Sequence, residues 1–204
     1  LVGEEHLPPE FLEKVRSTPL MDSVFMLHLG VDYDPTPYLN GVSTYFYGTY
    51  DIEGEIKRAR QGSYHEGAGG FVVHFPTFVS PQMAPEGRHV LTIYTICPDR
   101  LAEGTWAELK EHYAERLLEY AEVRLPDLRK HITVQRILTP EDFRAITHLD
   151  HHAFGGLAPV MGAWRPPHQT PIAGLWFVGA QSESGGGVAA VVPAAYKVAK
   201  KISA

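Results

Sequence analysis

Residues 89–97 read HVLTIYTIC, and residues 105–124 read TWAELKEHYAERLLEYAEVR. The first stretch sets Val90, Leu91, Ile93, Tyr94 and Ile96 in a run rich in β-branched and aromatic side chains, which predicts a strand. The second changes period. Trp106, Leu109, Tyr113, Leu117 and Tyr120 recur three and four apart, so a helix over Trp106–Arg124 carries one apolar stripe toward a core. Thr105 and Glu108 form a capping box at its start, with hydroxyl and carboxylate satisfying orphan backbone N–H groups. Pro126 ends it.

The flanking sequence repeats both textures. Val24–Val31, Val42–Tyr50, Phe71–Phe75 and Ile132–Leu138 read as further strands. Pro8 and Pro9 open a short helix, Asp51–Arg60 reads as a polar one, and Thr139-Pro140-Glu141-Asp142 starts another. Gly67, Gly69 and Gly70 break the chain before one strand, and Pro81–Gly87 is a turn-rich connection. Strands alternating irregularly with few helices predict an α+β fold on a mainly antiparallel sheet with flanking helices.

Composition sets outer bounds. The chain has 204 residues, an ordinary apolar fraction and a formal net charge of −6, so no basic nucleic-acid footprint is present. Cys97 is the single cysteine, which rules out a disulfide framework and a zinc site built on several thiolates. A reducing, cytoplasmic setting suits this, with or without membrane association. No apolar run is long enough to span a bilayer.

From about His148 the texture changes. Gly, Pro and His dominate to Thr170, which predicts a long functional loop. Gly174-Leu175-Trp176-Phe177-Val178-Gly179 then reads as a short buried strand, followed by Gly185-Gly186-Gly187. A helical stripe of Val188, Val191, Val192, Ala195, Val198, Ala199 and Ile202 completes the chain, with Pro193 inside it. Glycines let backbone approach a ligand. The N-terminus of the next helix offers free N–H groups and a positive dipole end, which suits a pyrophosphate or a flavin edge that becomes negative on reduction. A tight turn in any α/β domain is the plainer reading of the same spacing.

Thr170-Pro171-Ile172-Ala173-Gly174-Leu175-Trp176-Phe177-Val178-Gly179-Ala180, followed by Ser184-Gly185-Gly186-Gly187-Val188, resembles the C-terminal FAD signature of phytoene desaturases, carotenoid isomerases and retinol saturases. Ala84-Pro85-Glu86-Gly87-Arg88-His89, Leu138-Thr139-Pro140-Glu141-Asp142-Phe143, Gly155-Gly156 and Arg165-Pro166 resemble further elements of that family. The resemblance covers about residues 20–203. Ser184 stands where the family often has proline. The family's opening G-x-G-x-x-G unit, which grips the ADP part of FAD, has no counterpart here.

The resemblance implies a C-terminal piece of an FAD-dependent oxidoreductase acting on carbon–carbon bonds of an apolar, isoprenoid or carotenoid substrate. Residues 1–147 would form the substrate-binding domain. Residues 148–204 would be a loop and a terminal strand–helix returning to an FAD-binding α/β domain whose N-terminal half is absent. Gly179, Ala180, Gly185, Gly186, Gly187 and Val188 are the expected flavin contacts, although the isolated chain is expected to hold no FAD and to be inactive. Tyr45 and Tyr47 are candidates for an apolar substrate lining, against ordinary strand packing. No catalytic residue is fixed; His151 and His152 are candidates for touching substrate or moving a proton. A metal site from His148, Asp150, His151, His152 and His168 is the weaker reading, because adjacent residues rarely point at one ion. Peripheral membrane contact and self-association through the exposed terminal edge are further expectations. The rival functions are an amine-oxidase-like flavoenzyme with a polar substrate, and a non-catalytic binding module.

Overall fold

Five strands form in the computed structural model, which describes residues 2–203. They are β1 (Ser23–Val31), β2 (Ser43–Tyr47), β3 (Gly70–His74), β4 (His89–Cys97) and β5 (Ile132–Leu138). They join in one sheet of order β2-β3-β4-β1-β5, with every pairing antiparallel. Five α-helices accompany them: α1 (Pro9–Ser17), α2 (Ile52–Arg60), α3 (Trp106–Glu122), α4 (Pro140–Thr147) and α5 (Val188–Ile202). The expected α+β class and antiparallel sheet are therefore observed.

Period-two alternation sends one set of side chains to one face of the sheet. Phe25, Leu27, Leu29 and Val31 of β1, Leu91, Ile93 and Cys97 of β4, and Phe71 and Val73 of β3 share one buried cluster with Trp106, Ala114, Leu117, Leu118 and Ala121 of α3. The indole of Trp106 stacks on Phe25 at 5.7 Å between ring centroids, and its N–H donates to the Asp99 carbonyl at 3.3 Å. Each fully buried side chain of this size is worth about 1.5–3 kcal/mol. That burial is what holds the helix, because helix propensity alone is marginal.

Both predicted capping threonines act as expected. The Thr105 hydroxyl accepts from the Glu108 N–H at 3.2 Å, and the Glu108 carboxylate accepts from the Thr105 N–H at 3.0 Å. Thr139 and Asp142 repeat the arrangement at the start of α4. Asp51 caps α2 by accepting from the Gly54 N–H at 3.0 Å.

The chain divides into two compact units. One is the sheet unit, residues 22–152. The other gathers the residues up to Met21 with those from Ala153 onward. Within it, Leu20 bridges Leu157, the Met21 N–H donates to the Gly156 carbonyl at 3.0 Å, and the Ala158 N–H donates to the Pro19 carbonyl at 2.9 Å. The N-terminal segment thus groups with the C-terminal one, whereas the sequence reading places it with the sheet.

The expected terminal strand is corrected. Leu175–Val178 is not a strand; Trp176 makes one isolated bridge to Gln169. Leu175, Phe177 and Val178 are 37–43 % exposed. A short apolar run becomes a buried strand only where neighbouring strands flank it, and among the described residues none does. The expected helix after the glycines does form as α5, with Pro193 inside it.

Candidate functional site

The second face of the sheet differs from the first. Register aligns Tyr45, Val72, Tyr94, Met26 and Leu138 in one row across all five strands. The main buried cluster, with α3, lies on the opposite face. Tyr45 and Tyr47 point outward from the edge strand and are 59 % and 67 % exposed. A hydrogen bond joins the Tyr94 and Tyr45 hydroxyls across the intervening strand. Burial, reinforced by Tyr45, pushes the Tyr94 phenol above its ordinary range. The result is a broad aromatic and aliphatic wall. Close by in sequence, Phe46 packs against Phe71 on the core face, and Tyr50 is fully exposed.

The glycine turn lies in the other unit. Gly179 opens it, and the Ser182 and Ser184 hydroxyls both donate to the Gly179 carbonyl, at 2.7 and 2.9 Å. Ser184 therefore ties the turn with a donor that proline would lack. The Ala180 carbonyl lies against Gly156, where a Cβ would come within 2.4 Å of it. A Cβ at Gly186 would fall 1.9 Å from the Gly155 carbonyl oxygen, so this glycine is required by the chain's own packing. The Gly185 backbone faces the guanidinium of Arg165, 2.6 Å from where a Cβ would stand. Gly187 differs, with φ at 91° and open space beyond it. It starts α5 without any side-chain cap, and Val188 in the first turn is 77 % exposed. A cation, an uncapped helix N-terminus and an open glycine thus lie along one short segment, which suits an electron-rich or anionic group.

His151 and His152 are held by a hub that the sequence gives no sign of. Asp99 follows β4 and is buried, with its carboxylate 2.8 Å from the Arg144 guanidinium. It also accepts from the His152 backbone N–H at 3.0 Å and lies 3.6 Å from the His151 ring. The His152 ring is buried, bonded through Nδ1 to Ser23 Oγ at 2.7 Å and stacked on Phe143 at 4.4 Å. Burial holds its pKa below the usual range, opposed by Asp99. This geometry ties the end of β4, the start of β1 and α4 together. His151 is half-exposed. Among the described residues no group of three or more His, Cys, Asp or Glu is placed to hold a metal ion. No helix among them is long and apolar enough to cross a membrane.

No family model matches the chain. It is 34% identical to a lycopene-forming phytoene desaturase of a Paracoccus strain over 136 residues, 63% of this chain and 27% of the relative. It is 28% identical to a 4,4'-diapophytoene desaturase of Staphylococcus aureus, over 94% of this chain and 41% of the relative. The chain therefore spans well under half the length of these curated relatives. A solved oxidoreductase from Methanosarcina mazei shares the fold, with a TM-score of 0.51 at 18% identity, over 96% of this chain and 38% of that one. The phytoene-desaturase resemblance carried by the motifs is borne out by these relatives.

Proposed function

We propose that this chain is the C-terminal, substrate-bearing and flavin-facing part of an FAD-dependent oxidoreductase that acts on carbon–carbon bonds of an apolar, carotenoid-type substrate. The observation that carries the reading is the row Tyr45–Val72–Tyr94–Met26–Leu138 on the sheet face opposite the cluster that α3 completes. Such a wall suits a long hydrocarbon, which gains by leaving water without needing directional partners. The names of the related desaturases support the same substrate class.

The segment 179–188 fits a flavin. A bound flavin would supply the hydride acceptor for dehydrogenation. Arg165 and the uncapped first turn of α5 would favour negative charge at the flavin edge. Gly187 and Val188 would leave room for the ring, while Gly185 and Gly186 shape the turn behind them. Gly179 and Ala180 set its entry. The sequence has no strand–G-x-G-x-x-G–helix unit, so other residues of a larger enzyme would grip the ADP part, and this chain alone would be inactive. Tyr45 and Tyr47 would contact substrate. His152, being buried, would position rather than react, which leaves His151 as the half-exposed candidate for proton movement. Self-association through exposed Leu175, Phe177 and Val178 belongs to the same proposal.

The test is anaerobic flavin spectroscopy on the whole flavin-loaded protein. Addition of a polyene of the phytoene type should bleach the oxidised flavin band, and small amines should not. Bleaching by amines, with no response to any polyene, would replace this reading by the amine-oxidase one.

A further inference from the structure

A second row crosses the same sheet face beside the apolar one; Ser43 and Arg136 at its two ends are exposed, and Thr92 at its middle is buried. Register aligns Ser43 with His74, His74 with Thr92, Thr92 with His28 and His28 with Arg136. All five residues are polar, and they run unbroken from one edge strand to the other. Four strand spacings make the row about 19 Å long, and it lies about 7 Å from the apolar row.

The bonding inside this row leaves donors outward. Ser43 Oγ bonds His74 Nδ1 at 2.9 Å, and Thr92 Oγ1 bonds His28 Nδ1 at 3.0 Å. Both imidazoles therefore spend Nδ1 on a neighbouring hydroxyl, and neither Nε2 has a hydrogen-bond partner among the described residues. Arg136 is exposed and makes no ion pair among them. The five strands contain no Asp or Glu at all. Burial and the Arg136 charge hold His28 below its usual pKa range, so Arg136 supplies the positive charge and the imidazoles supply directional bonds.

A hydrocarbon has no use for such a row. Five aligned polar side chains beside an apolar wall complement a molecule that is apolar along its length and anionic at one end. We infer that the Arg136 end of this row, with His28 beside it, recognises a terminal carboxylate on a long-chain polyene substrate, Arg136 pairing the charge. The inference rests on the reading of this face as the substrate wall and narrows it from a pure hydrocarbon to an acid-ended chain.

Fluorescence titration of the full chain with cis-parinaric acid, a conjugated tetraene carboxylate, and with its methyl ester separates the two ideas. The acid should bind about tenfold tighter than the ester, the effect of one charge-assisted contact at a partly exposed site. Arg136→Gln should abolish that preference by weakening the acid alone, and Arg136→Lys should restore part of it. Unchanged ester affinity in both variants shows that the wall is intact. Equal affinity of acid and ester in the unmodified chain would overturn the carboxylate inference and leave the apolar wall standing. A preference that survives Arg136→Gln would also overturn it. Binding of neither probe would overturn the wall itself.

Discussion

The sheet unit and the terminal unit are built on different principles. Every residue of the main buried cluster lies between Phe25 and Leu128, inside the sheet unit. The terminal unit buries Leu157, Ala158 and Val198 but leaves Leu175, Phe177, Val178, Val188, Val192 and Tyr196 exposed. One region is complete in its own core. The other keeps apolar surface and an uncapped helix start exposed. Stability of the sheet unit and the proposed cofactor contact therefore fall on different residues, and each can be attacked without the other.

The hardest break falls on the sheet. Trp106→Ala empties the site between Phe25, Tyr64 and Tyr113 and should cost about 3–5 kcal/mol. Denaturant unfolding followed by circular dichroism reads this loss. Val198→Ala in α5 removes far less volume and should cost about 1–2 kcal/mol from the terminal unit. Equal losses for the two would show that one core, not two regions, governs stability.

A gentler probe uses pH. His65 Nδ1 accepts from the Gly67 and Gly69 N–H groups at 3.1 and 3.3 Å, and Nε2 meets Thr95 Oγ1 at 3.0 Å. Burial lowers its pKa from 6.5, with Glu55 opposing. The folded ring therefore binds fewer protons than the unfolded one. Its contribution to stability is present above pH 6.5 and is lost as the pH falls below that value. His28 and His152 shift in the same direction and share the loss. Denaturation midpoints should decline on acidification below pH 6.5, and His65→Gln should flatten the decline. A pH-independent midpoint would contradict the buried neutral imidazoles.

What the sequence discloses follows from range. Strand β4 and helix α3 are legible because alternation and the 3.6 period are local, and the caps at Thr105 and Thr139 are legible because partner and cap lie three residues apart. The Asp99 hub is not, since Arg144 and His152 stand 45 and 53 residues away. The polar row escapes for the same reason: His28, Ser43, His74, Thr92 and Arg136 become neighbours only once the register is fixed. Leu175–Val178 misleads in the opposite way. Its composition is that of a buried strand, but composition does not supply the neighbours that bury it. The glycine triplet reads in sequence as a place for close ligand approach, whereas the constraint at Gly186 is the chain's own Gly155 carbonyl, 31 residues away and invisible to that reading.

Hydrogen exchange, read by mass spectrometry on the whole protein with and without FAD, tests the division most directly. Backbone N–H groups of β1, β3 and β4 should be strongly protected in both states, since they lie in the paired interior of the sheet. Residues 179–190 should exchange fast without FAD and slow markedly when it is bound. Protection that rises only in the strands, or residues 179–190 that do not respond to FAD, would contradict the proposed flavin-facing terminal unit and self-sufficient sheet.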